Sequence, residues 1–144
     1  MIYIEYEEMW GKIRLLEKEC NKLINKREML FNETQPKAAK LDALKVDGNN
    51  PSNMFEKYVI EIDELNRKIN NINKTLDDRY ILLKRKRDEL KASKNTYDRI
   101  YVYRYIERLS VFKIGILMGY EKTQIYRYLK KINKNANMQQ NATN

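Results

Sequence analysis

The sequence predicts an all-α protein, and three of its features say so. Only 4 Gly and 2 Pro punctuate 144 residues, while helix-forming Lys, Glu, Leu and Ile dominate. Apolar residues recur at alternating steps of three and four over two long stretches. Between and after those stretches, turn residues gather at a few places instead of spreading along the chain. The expected architecture is a long antiparallel coiled-coil hairpin over residues 1–92, with its connection at 32–52. A three-helix unit over 93–134 and a disordered tail over 135–144 follow.

The first helix is read from about Ile4 to Phe31. Tyr6, Met9, Ile13, Leu16, Cys20, Leu23 and Leu30 form one seam, interrupted at Arg27, and charged residues fill the other faces. The stretch "NETQPKAAKLDALKVDGNNPS" breaks this pattern with Pro36, Gly48, Asn49, Asn50 and Pro51. Within it, "PKAAKLDAL" predicts a short helix with Pro36 in its first turn. The second long helix is expected to start near Ser52 or Asn53, either a suitable cap. Its seam is Phe55, Tyr58, Ile62, Leu65, Ile69, Ile72, Leu76, Arg79 and Leu83. Two seams of similar length fit a hairpin within one chain, and they fit an association between chains equally well.

"KRKR" at 84–87 places basic residues on every side of one helical turn. Packing against the first helix is expected to stop there. "ASKNTYD" then interrupts the helix; Asn95 or Thr96 caps the next, and Asp98 lies in its first turn. That helix, "YDRIYVYRYIER", is expected to run to about Arg108.

Ser110 caps a short helix whose Ile114, Leu117 and Met118 share one side. Gly115 is expected at a close helix crossing, and Gly119 at a turn that needs positive φ. Ile125, Tyr128 and Leu129 would pack the following helix back onto its predecessor. This spacing is that of a helix-turn-helix. The second helix would then expose Lys122, Thr123, Gln124, Tyr126, Arg127, Lys130 and Lys131. Gln and Arg suit adenine and guanine edges, Thr a thymine methyl, and Lys and Tyr phosphates. Of the seven tyrosines between Tyr97 and Tyr128, Tyr101, Tyr105, Tyr120 and Tyr128 are expected in the core, with Tyr126 at the nucleic acid.

Charge supports the same reading. Residues 1–83 carry 14 Lys+Arg and 15 Asp+Glu, whereas residues 84–144 carry 15 and 5. The whole excess of the +9 chain therefore lies in the part that holds the candidate motif, where it would attract a polyanion. The chemistry-bearing inventory is thin. There is no histidine and a single cysteine, which excludes a His-based triad, a zinc finger and an intramolecular disulfide. No Gly-rich phosphate loop or nucleophile–base pairing is present. A binding protein without cofactors is expected, not an enzyme. No stretch reaches the roughly 18 apolar residues that span a bilayer, and the opening "MIYIEYEEMW" lacks the basic start of a signal peptide, so a cytoplasmic location is expected.

"YVYRYIERLSVFKIGILMGYEKTQIYRYLKKI" resembles the C-terminal helix-turn-helix of sigma factors. It is more similar still to small transcription regulators of phages and prophages of low-GC Gram-positive bacteria. Arg104, Tyr105, Ile106, Leu109, Ser110, Ile114, Met118, Gly119, Tyr120, Tyr126 and Arg127 match that pattern, and "VDGNN" at 46–50 falls where its connection carries a glycine. Lys113, Gly115 and Glu121 depart from it. The resemblance implies sequence-specific binding of double-stranded DNA and control of phage late genes, typically activation, in a bacterial host. RNA polymerase and a second copy of the chain, joined through the hairpin, are the implied protein partners. Two other readings compete with it. A small terminase-like packaging protein would share these elements but assemble as a ring. A phage protein that inhibits a host enzyme would keep the fold without binding DNA.

Overall fold

The computed structural model describes the backbone of residues 1–44 and 52–143, and the side chains of 1–33 and 55–136. Every described element is helical: α1 (Ile2–Leu44), α2 (Ser52–Ala92), α3 (Thr96–Tyr101), α4 (Val111–Met118) and α5 (Lys122–Thr143), with a π-helical turn over Val102–Ile106 extending α3. The protein is all-α. No described helix is long and apolar enough to cross a membrane.

Helix α1 runs on past Phe31 and through Pro36 to Leu44. The expected break at residue 32 and the separate short helix after Pro36 are therefore corrected. Proline costs a helix one donor, but in the Lys-Ala-Ala-Lys-Leu-Asp-Ala-Leu run behind it every residue except Asp42 is a strong helix former that propagates the ladder. Helix α2 already includes Ser52 and Asn53, so neither stands ahead of it as the expected cap; Gly48, Asn49, Asn50 and Pro51, with the glycine connection read from "VDGNN", lie outside the described residues.

The chain divides into two units, one of Met1–Arg14 with Asp78–Asn144 and one of Leu15–Asp77. The expected boundary between residues 92 and 93 does not separate them. In the Leu15–Asp77 unit, Cys20, Leu65, Ile69 and Leu76 are buried, and Leu16, Leu23, Leu30, Ile62 and Ile72 are half-buried. Cys20 Sγ donates to Asn73 Oδ1 at 3.6 Å, and Arg27 donates to Asn66 Oδ1 at 2.9 Å. As numbering rises along α1 it falls along α2, so the two segments run antiparallel here. Arg27, the interruption in the first seam, thus has a polar partner in the facing helix. Phe55, expected in the seam, is 47% exposed: two helices bury only their shared stripe, and a large ring at its margin stays wet.

The other unit has an aromatic core joined across long sequence separations. Tyr3 stacks on Tyr101 with ring centroids 5.4 Å apart, and Tyr6 meets the same ring edge-on at 6.1 Å. The Tyr101 hydroxyl donates to Glu7, and burial raises its pKa. Asp98, 1% exposed, accepts from the Tyr3 and Ile2 backbone N–H groups at 2.9 and 3.3 Å and from Ser93 Oγ at 2.7 Å. A residue expected only to favour the start of α3 therefore also caps α1, satisfying two of its four orphan donors with a negative charge. With the Tyr3 and Tyr6 ring contacts, these bonds tie Met1–Arg14 to α3 within one unit.

Packing does not stop at "KRKR". Leu83 and Leu90 on either side of it are 2% and 0% exposed. Lys86 Nζ bonds Glu5 at 2.8 Å, and Arg87 donates to the Tyr6 hydroxyl at 3.2 Å with its guanidinium 6.0 Å from the Tyr6 ring centroid. Long basic side chains lay their stems along apolar surface and send the charge to a partner, so a basic turn can border a buried seam.

Candidate nucleic-acid interface

Each element that presents α5 starts from a local sequence signal. Asn95 caps α3, its side chain accepting from the N–H groups of Tyr97 and Asp98 at 2.9 and 3.3 Å. The helix does not continue evenly to Arg108. It widens to π geometry, with the Glu107 N–H reaching the Val102 carbonyl at 2.9 Å, and Arg108 then takes φ 55°. A non-glycine residue in the left-handed region is held there by its neighbours: Leu109 N–H donates to the Tyr103 carbonyl at 2.8 Å, and Arg104 donates to the Leu109 carbonyl at 3.1 Å.

Ser110 then caps α4, its hydroxyl accepting from Lys113 N–H at 3.2 Å. Gly119 closes α4 at φ 71°, the left-handed conformation in which glycine carries no Cβ penalty. Gly115 is needed for a different reason from the expected helix crossing. A Cβ on it would lie 2.7 Å from the Tyr120 carbonyl oxygen, and the Tyr120 N–H donates to the Gly115 carbonyl at 2.9 Å. Close approach of the turn's own backbone is what excludes a side chain.

Beyond the turn, Ile125 and Ile132 are 0% and 1% exposed and Leu129 is 7% exposed; α5 packs against α3 and α4, whose Ile100, Val111 and Ile114 are buried as well. With one face of α5 committed to this core, Lys122, Thr123, Gln124, Tyr126, Arg127, Lys130 and Lys131 are all exposed. They line the remaining arc of a helix that advances about 100° per residue. Lys134, also exposed, extends the line of Thr123 and Arg127, a position that the same periodicity identifies. The tail expected to be disordered from Asn135 instead continues α5 to Thr143; no Gly or Pro follows Gly119, so nothing in the backbone forces an end.

Two expected core positions differ. Tyr105 is 41% exposed and Leu117 50% exposed. Tyr105 reaches outward to donate to Asn133, and its ring still tilts against Tyr101 at 5.1 Å. Leu117 follows from the wheel of so short a helix. Val111, Ile114 and Gly115 take the inner face of α4, which leaves Phe112, Ile116 and Leu117 outside.

Tyr97 joins this surface from a different helix. A shallow pocket of about 210 Å³ lies between α3 and α5, lined by Tyr97, Gln124, Arg127, Tyr128 and Lys131. The Tyr97 ring meets Tyr128 edge-on at 4.9 Å, Tyr128 stacks on Tyr120 at 5.9 Å, and Lys131 Nζ lies 3.4 Å from the Tyr97 hydroxyl. No periodicity links position 97 to α5; only the packing of α3 against α5 brings it there. On the opposite flank, Lys122 Nζ lies 5.4 Å from the Phe112 ring centroid.

Comparison with protein-family models, curated proteins and solved structures found no match.

Proposed function

We propose that the chain is a sequence-specific DNA-binding protein that uses α4 and α5 as a helix-turn-helix, with α5 in the major groove. One observation carries this reading. The exposed arc of α5 is lined by basic and hydrogen-bonding side chains, while its opposite face is locked into a core by the Gly115–Gly119 turn. A groove needs a helix both anchored behind and uncluttered in front. The polar arc is also uninterrupted by acid from Lys122 to Lys134, so phosphate attraction works along its full length. The resemblance to phage regulators extends the proposal to transcription control of phage late genes by activation.

The test is a titration of the full chain with fluorescent duplexes, first of mixed sequence and then of a sequence enriched from a random pool. Binding should weaken steeply with salt and favour the enriched duplex. Arg127→Ala should cost about 1–3 kcal/mol on the enriched duplex, whereas Lys130→Ala should weaken both duplexes and flatten the salt dependence. A chain that binds neither duplex at low salt would refute the reading.

A further inference from the structure

We propose that the pocket between α3 and α5 is a binding site for a phosphate group, formed by Tyr97, Gln124, Arg127 and Lys131, and that it takes a phosphodiester of the DNA backbone. The second half rests on the DNA-binding reading above; the first half does not.

The polar groups that line the pocket are donors or can act as donors. Arg127 contributes a guanidinium, Lys131 an ammonium, Gln124 an amide N–H and Tyr97 a hydroxyl, and none of the five lining residues is acidic. A phosphodiester is the complementary partner, a single negative charge whose oxygens only accept. Gln124, Arg127 and Lys131 follow each other at steps of three and four, so they share one side of α5. Tyr97 closes that side from a second helix. Its position is set: Asn95 holds its backbone N–H at 2.9 Å, and the Tyr97–Tyr128–Tyr120 series holds its ring. Its hydroxyl lies 3.4 Å from Lys131 Nζ.

This assignment changes what the exposed arc does. Gln124 moves from base reading to backbone binding. Thr123 and Tyr126, on the far side of Arg127, are left to face base edges, while Lys130 beside them keeps its phosphate role. Arg127 stands at the border, where it lines the pocket and also points along the outermost line of the helix.

The experiment compares Tyr97→Phe, Lys131→Gln and Gln124→Ala with the unaltered full chain, using a fluorescent mixed-sequence duplex over a salt series and, separately, inorganic phosphate followed by the ring signals of Tyr97 and Tyr128. Tyr97→Phe keeps the aromatic series, and an unchanged thermal unfolding midpoint verifies that. The expected result is about three- to tenfold weaker duplex binding for Tyr97→Phe. Lys131→Gln should make the log–log salt slope shallower by about 0.9. Gln124→Ala should weaken mixed and enriched duplexes alike. If the chain binds duplex with strong salt dependence but all three variants match it, the pocket assignment is overturned and the DNA reading survives. If no duplex binds but inorganic phosphate saturates the ring signals, and Tyr97→Phe and Lys131→Gln weaken that binding, the pocket stands as a site for a small phosphate compound while its DNA half falls. If neither ligand responds to the variants, the whole inference is wrong.

Discussion

The Leu15–Asp77 unit and the unit containing α3–α5 are both built from helices, but they reach stability by different means. The first repeats one device. Buried Cys20, Leu65, Ile69 and Leu76 belong to a stripe whose members do similar work, relieved by polar pairs such as Arg27–Asn66. The second relies on positions that occur once: a buried carboxylate serving two chain segments, a glycine under a carbonyl, a left-handed turn, and a tyrosine between two others. A repeating stripe tolerates exchange of one apolar shape for another, because each layer is supported by the layers beside it. A single device has no substitute. The surface proposed to bind DNA belongs to the second kind of unit, where one geometry is enforced.

The contrast breaks most sharply at Gly115. Gly115→Val should destabilise the protein by about 3 kcal/mol or more, since backbone and not a flexible side chain stands 2.7 Å from the new Cβ. Denaturant unfolding measures it. Asp98→Ala comes next, at about 2–3 kcal/mol, because it leaves the Ile2 and Tyr3 N–H groups without their acceptor. Amide exchange at those residues should accelerate with it. Gly119→Ala is a control for shape without crowding. Its Cβ would meet nothing within 4 Å, so only the positive φ is penalised, by about 1–2 kcal/mol. Ile69→Leu, in the repeating stripe, should cost under about 1.5 kcal/mol. A loss there as large as at Gly115 would show that the stripe is as particular as the turn, and the contrast would fail.

The smallest effect sharpens the comparison by pH. The hydrogen bond and charge of Lys86 hold the Glu5 carboxyl below its usual range. A depressed carboxylate stabilises the fold above its unfolded pKa of about 4.5, and that stabilisation is lost as pH falls through the lower folded value. Glu5→Gln should therefore lower the unfolding midpoint slightly at neutral pH and leave it unchanged once Glu5 is protonated. The pair is exposed, so added salt should shrink the difference at neutral pH.

Much of this was legible from residue order. The helical seams, the Asn95 and Ser110 caps, the left-handed Gly119, the inward Ile125 and Leu129, and the exposed Lys122–Lys131 arc each depend on neighbours within a turn or two. Propensity, capping chemistry and a 3.6-residue period act at that range. What packing alone decided involves partners far apart in the chain. Asp98 meets Ile2 and Tyr3 across more than ninety residues, Lys86 meets Glu5, and Tyr97 meets Lys131. It also decided that the basic turn at 84–87 could border a seam, and that Gly115 answers to the Tyr120 carbonyl instead of a crossing helix. A pattern along the chain reports which face of a helix is apolar; it carries no information about which distant atom will stand against that face, because that is set by how all the faces are buried at once.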